Sequence, residues 1–226
     1  MRPLILTTCS TSETYQHRLA EISSRATLSD PLNNLFQREK SGPLTPVTTS
    51  QLYEACINRI RAKIAAGALI AEAAEFAAVA CWEPPQASPP ELSEGELQTI
   101  SRDGRPIYAE FVRNLQNARR EVFGDHRRIW SLSLMARDPD RKDKGAVRAV
   151  IEPFVERARM EGLPIWLVAG NARARDVYAY FGFKVMKVLR SGPLERTREE
   201  GSLEEQHETA IETWYMVANW PPVKVD

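Results

Sequence analysis

DPDRKDKGAV, residues 138–147, runs from the end of one element straight into the start of the next. Upstream lies IWSLSLM, residues 129–135, in which Ile129, Ser131 and Ser133 alternate with Trp130, Leu132 and Leu134; a period of two is a strand. Downstream, Val147, Val150, Ile151, Phe154, Val155 and Ala158 recur at helical spacing and Gly162 supplies a stop. Pro153, inside that run, removes one backbone bond and predicts a bend. A helix start presents unpaired N–H groups and the positive end of the macrodipole, so a charged turn at this place attracts phosphate. Gly145 lets the backbone approach an anion closely, while Lys142 and Lys144 add charge. Such turns are common, and taken alone this one is more often a solvated loop than a phosphate site.

The neighbouring segments are also legible. PIWLVA, residues 164–169, is an apolar run suited to a strand buried on both faces. Asn171 is placed to cap a short helix whose Ala174, Val177, Tyr178 and Phe181 face one way, with Gly182 as its end. Strands follow over 183–189 and 213–218, separated by a charged loop over 190–208. Toward the amino terminus, a strand over 3–8 leads to a helix through a capping box of Ser10 and Glu13. Residues 26–47 read mostly as loop; Thr48 and Gln51 then cap a helix carrying Leu52, Cys56, Ile57, Ile60 and Ile64 up to Gly67. Context makes 69–73 and 76–82 a hairpin, against the helix propensity of their alanines. Residues 83–106 are too rich in proline and charge for core and read as a surface insertion before a helix over 107–122. The expectation is one domain over 1–226, in two halves of 1–125 and 126–226.

From Trp130 to Leu189 the chain resembles the acetyl-CoA-binding core of the GNAT superfamily of acyl-CoA N-acyltransferases. LSLMARDP followed by Lys142, Asp143, Lys144, Gly145, Ala146 and Val147 stands where that family has Gln/Arg-x-x-Gly-x-Gly/Ala. NARARDVYAYFGF matches its Asn-x-x-Ala-x-x-(apolar)-Tyr-x-x-x-Gly-Phe pattern through Asn171, Ala174, Val177, Tyr178, Gly182 and Phe183. The resemblance implies an α/β fold, a mixed, twisted sheet flanked by helices and splayed near the end of the Trp130 strand. It also implies acetyl-CoA as co-substrate and acetyl transfer to a primary amine in a ternary complex. Met135, Ala136 and Arg137 would then offer strand-edge backbone to the pantetheine arm, residues 142–147 would hold the pyrophosphate, and Asn171 would touch the cofactor near its middle. Tyr178 would protonate the departing thiolate; the plainer alternative is that its ring only packs the core. The chain departs from the pattern at Lys142 and Val147, and LVAG stands where many relatives have Leu-Glu-Ala-Ser/Thr. These departures keep open a non-catalytic, acyl-CoA-binding or protein-interaction alternative.

Bulk composition narrows the class. Thirty basic residues balance thirty acidic ones in 226 residues, which gives no electrostatic reason to expect nucleic acid or an anionic membrane as partner. No apolar run has the length of a membrane span. The expected form is a cytoplasmic monomer or homodimer without a metal, since Cys9, Cys56 and Cys81 fit neither a disulfide framework nor a zinc site. Neutral charge suits a small-molecule acceptor better than a basic protein tail. For a general base, Glu75, Glu121, His126 and a water relay stay open.

Overall fold

The computed structural model describes residues 5–87, 91–125, 128–192 and 210–221. Its centre is a seven-stranded mixed sheet in the order β1-β2-β3-β4-β5-β7-β6. The strands are β1 (Thr7–Ser10), β2 (Leu69–Ala73), β3 (Ala78–Glu83), β4 (Trp130–Arg137), β5 (Ile165–Ala169), β6 (Lys184–Ser191) and β7 (Ile211–Ala218). Only β4 and β5 run parallel; every other pairing is antiparallel.

Helices cover both faces. On one face, α1 (Glu13–Ala26) and α3 (Thr49–Ala65) pack over β1–β4 through Leu19, Ile22, Ile57 and Ile60 against Ile70, Val79 and Cys81. On the same face, α5 (Pro106–Phe123) covers the other half of the sheet through Ala118 and Phe123, near Tyr215 and Val217. The opposite face carries α6 (Ala146–Met160) and α7 (Ala172–Tyr180). Ala71, Ala73, Ala78 and Ala80 are fully buried beneath α6. Small side chains let that helix sit close to the strands, which is why the hairpin forms despite alanine's helix propensity. No helix among the described residues is long and apolar enough to cross a membrane.

Several expectations are corrected. Residues 26–47 are not mostly loop: α2 (Pro31–Ser41) starts at Asp30, whose carboxylate accepts from the Asn33 amide at 3.0 Å, with Pro31 in the first helical position. The insertion over 83–106 contains α4 (Glu94–Arg102), opened by a Ser93–Glu96 capping box and anchored by the buried Leu97. The Ser10–Glu13 box does not form; Ser12 is the N-cap of α1, and Ser10 Oγ accepts from the Ser12 amide instead. The Thr48–Gln51 box does form. The charged loop over 190–208 lies outside the described residues from 193 onward.

The alternation read in β4 breaks at Ser133. Trp82 pairs with Leu132 and Cys81 with Leu134, so Ser133 is an extra residue, a β-bulge. Because side chains alternate with a period of two, one extra residue reverses the facing of everything beyond it. Trp130 and Leu132 therefore pack toward α6, whereas Leu134 and Ala136 pack toward α1 and α3. Ser133 Oγ donates to the Cys81 carbonyl at 3.3 Å across the bulge.

Pro153 lies inside α6 without ending it. Proline cannot donate to the carbonyl four residues back, which is that of Ala149. The Thr7 hydroxyl fills the vacancy, donating to Ala149 O at 2.7 Å, and the Trp82 indole donates to the adjacent Val150 O at 3.0 Å. Thr7→Val should therefore cost about 1–2 kcal/mol in urea unfolding, the worth of a part-buried carbonyl left unpaired. In a Pro153→Ala background, where the helix restores its own bond, the same change should cost clearly less. Equal costs in both backgrounds would refute this pairing. A second check concerns thiols: burial pushes Cys81 up to about 11 and Cys56 is also buried, whereas Cys9 is exposed. Native protein at pH 8 should be alkylated at Cys9 alone, and modification of Cys81 before unfolding would contradict its burial.

Candidate active site

The parallel pairing of β4 and β5 lasts only from Trp130↔Ile165 to Leu132↔Leu167. Beyond it, β4 stays with β3 as far as Arg137↔Ala78, while β5 stays with β7 through Ala169↔Trp214. The strands fork just after Leu132, at the bulge. The β4 edge from Ser133 to Arg137, which includes Met135, Ala136 and Arg137, has no strand partner on its β5 side among the described residues. Its backbone groups require other partners.

The turn from β4 to α6 is held at both ends. Asp138, buried at 7% exposure, accepts from Arg25 at 3.0 Å and from the Asp140 amide at 3.0 Å, and Arg25 also pairs with Asp140. Arg141 binds Asp143 through two bonds of 2.8 and 2.9 Å and reaches the Ala74 carbonyl at 3.1 Å. That contact braces a β2–β3 turn in which Ala74, Glu75 and Phe76 all have positive φ (54°, 53° and 65°). The Arg141 hydrogen bond holds the Asp143 carboxyl below its ordinary range. Lys142 and Lys144 are exposed. Gly145 is the N-cap of α6 in the left-handed region (φ 92°) and supplies no side-chain cap. A Cβ built on it would meet Ile5 Cδ1 at 3.2 Å, so its bare side faces the amino-terminal segment. Ala146 is fully buried, and Val147 packs half-buried against the core.

Asn171 caps α7, accepting from the Ala174 amide at 2.9 Å, and its Nδ2 donates to Asp30 Oδ2 at 3.4 Å. LVAG itself holds no carboxylate, and the one that the structure brings close by was not singled out from the sequence. Asp30, at the start of α2, reaches the end of β5, and a Cβ on Gly170 would meet its Oδ2 at 3.4 Å. Tyr178 is buried and stacks edge-on with Phe183 at 6.0 Å. It belongs to the cluster that contains Leu132, Leu167 and Ala169, the residues on both arms of the fork. Burial pushes its phenol well above the ordinary tyrosine value, so the group stays protonated at any physiological pH.

On the face of α1 and α3, a cavity of about 420 Å³ opens over Leu134 and Met135. Lys40, Arg59, Arg105 and Gln37 are among the residues that line it. None of these four was singled out from the sequence. Glu75 and Glu121 do not line it: Glu75 sits exposed in the strained turn, and Glu121 pairs with Lys187. His126 lies outside the described residues.

No family model matches the chain. An N-acetyltransferase of Schizosaccharomyces pombe, itself uncharacterized, is 28% identical over 126 residues, 51% of this chain and 50% of its own. The chain therefore spans about half the length of that curated relative. Among solved structures, one described as histone acetyltransferase HPA2 and related acetyltransferase from Corynebacterium glutamicum is 16% identical with a TM-score of 0.57, covering 98% of both chains. Arylalkylamine N-acetyltransferase 2 from Aedes aegypti is 14% identical with a TM-score of 0.58, over 94% of this chain and 97% of its own. At those identities the structures show a shared fold, that of the GNAT acetyltransferases, and the yeast match adds a likeness of sequence over about half of each chain.

Proposed function

We propose that the chain is an N-acetyltransferase that moves the acetyl group of acetyl-CoA to the primary amine of a small molecule, by direct attack in a ternary complex. The observation that carries this reading is the fork, which leaves a strand edge unpaired between an uncapped helix start and a buried, protonated phenol. In this reading the β4 edge at Met135, Ala136 and Arg137 pairs with the amides of the pantetheine arm. The turn over 142–147 receives the pyrophosphate on the first amides of α6, with Lys142 and Lys144 adding charge. Packing of Val147 against the core turns its branched side chain away from that role. Asn171, already committed to capping α7, would contact the cofactor with what remains of its amide.

The acceptor amine, once neutral, attacks the thioester carbonyl carbon and the C–S bond breaks. The Tyr178 phenol gives its proton to the departing thiolate and recovers one from the acylated nitrogen. A phenol raised by burial serves as an acid here and not as a base. The cavity has a volume within the usual range for small-molecule sites. Free cysteines fit the reducing cytoplasm proposed for the protein.

Acetyl-CoA should raise the melting temperature, because a ligand that binds only the native state stabilises it, by about 2.7 kcal/mol at a hundredfold excess over Kd. An unmoved transition at millimolar acetyl-CoA would remove the proposal. Tyr178→Phe keeps the ring and deletes the proton, so kcat should fall about a hundredfold with little change in acetyl-CoA affinity. In the parent enzyme, the raised phenol predicts no loss of the proton donor on the alkaline side up to pH 10. Equal turnover by parent and variant, with chemistry rate-limiting, would reduce Tyr178 to a packing residue.

A further inference from the structure

The cavity over the fork is lined by three cations and no carboxylate. Lys40 comes from α2, Arg59 from α3 and Arg105 from the residue that precedes α5, so three separate elements direct positive charge at one space. Among the described residues none of the three forms an ion pair. Three acidic side chains of neighbouring segments are engaged elsewhere. Glu39 accepts from the Ile107 and Tyr108 amides at 2.6 and 3.0 Å, and Asp138 and Asp140 hold Arg25. In a chain with balanced charge, such a concentration is local and not a by-product of a basic surface.

The cations are also placed against one another. The Arg105 guanidinium stacks over the Tyr108 ring, 4.1 Å from its centroid, and its Nε is buried without a hydrogen-bond partner. Burial and the adjacent Arg105 both lower the Lys40 pKa. An anion between them would relieve that repulsion.

Two further polar side chains line the cavity, Ser23 of α1 and Gln37 of α2. Gln37 is 8% exposed and Ser23 5% exposed; Ser23 Oγ is buried without a partner, and Gln37 makes no side-chain hydrogen bond among the described residues. Buried polar groups are seldom left unpaired unless a ligand or water completes them. The floor of the cavity is Leu134 and Met135, so a molecule held there reaches the fork.

We propose that the acceptor carries an anionic group, a carboxylate or a phosphate, beside its amine, and that Lys40, Arg59 and Arg105 bind it with Gln37 and Ser23 completing its hydrogen bonds. This rests on the acetyl-transfer reading. An ammonium with no anionic partner, or a polyamine, would meet like charge and no carboxylate, and is disfavoured by the same field. The Arg pair suits a carboxylate or phosphate because each guanidinium presents a planar fork of donors.

The test compares 5-aminopentanoate with pentylamine and phosphoethanolamine with ethanolamine, at low salt, after calorimetry with acetyl-CoA. At least one anionic member should exceed its partner about tenfold or more in kcat/KM, through KM. Which pair shows it separates carboxylate from phosphate. Arg59→Gln, on the exposed side of α3, and Arg105→Gln should each shrink that ratio several-fold. Glutarate or inorganic phosphate, without acetyl-CoA, should raise the melting temperature of the parent more than that of either variant. Acetyl-CoA binding with equal use of charged and uncharged members would overturn the inference and leave the acetyl-transfer reading standing. Loss of acetyl-CoA affinity in the two variants would give these cations to the cofactor's phosphates and also overturn it. Failure of the parent to bind acetyl-CoA, with glutarate or phosphate still protecting it and not the variants, would keep the anion site and remove the transfer reading.

Discussion

One unpaired residue, Ser133, sets the geometry on which the rest of the molecule depends. It has no counterpart on β3, and the strand beyond it changes face. Trp130 and Leu132 join the core under α6, while Leu134 and Ala136 join the core under α1 and α3. A bulge also bends its strand and increases the local twist, and β5 parts from β4 at the next position. The fork, the unpaired edge and the floor of the cavity are therefore one feature. A sheet with regular alternation through residue 133 would have put Leu134 on the α6 side and left no apolar floor for the cavity.

A fork is useful only if the elements around it are fixed. α6 carries a proline in its middle, and the two carbonyls nearest the disturbance are taken up by Thr7 of β1 and Trp82 of β3. The helix is thereby fastened to strands on the far side of the fork from β5. Its first turn is fastened by Arg141, which joins the loop to the β2–β3 turn. Three consecutive residues with positive φ are costly, roughly 1–3 kcal/mol each, and persist only where neighbours over-determine them. Here the Arg141 bond to the Ala74 carbonyl and the Glu72 bond to the Phe76 amide, 2.8 Å, do so.

Much of the fold was legible because its elements are written with a clear period. The helix over 147–158, the strand over 164–169 and the Asn171 cap lie where the spacing placed them. Elements were missed where composition argued against them. Asp30-Pro31 is a strong helix start, yet the proline, serine and threonine of 26–47 make the segment read as loop. The prolines over 84–90 likewise masked the Ser93–Glu96 box of α4. The reversal at Ser133 could not be read at all, because a bulge belongs to the pairing of two strands and not to either one. The same holds for the candidate site. The turn over 138–147 is contiguous and could be found; positions 40, 59 and 105 are far apart in sequence, and only the packing of α2, α3 and α5 brings them to one cavity.

Charge is distributed so that one sign remains at each end of the site. Around the turn into α6, Arg25 is shared by Asp138 and Asp140, and Arg141 pairs with Asp143. Lys142 and Lys144 are exposed beside the helix start and are in none of these pairs. Around the cavity, Glu39 lies on α2 beside Lys40, but its carboxylate is turned onto the first amides of α5 and not onto a cation. Capping α5 in this way keeps the carboxylate beside Lys40 in sequence engaged with backbone. The two proposed sites, at the turn into α6 and over the floor of Leu134 and Met135, would each hold an anion in a chain whose overall charge is balanced. On that proposal the reaction brings together two anionic reactants, and each set of cations would offset the repulsion that the pair would otherwise meet.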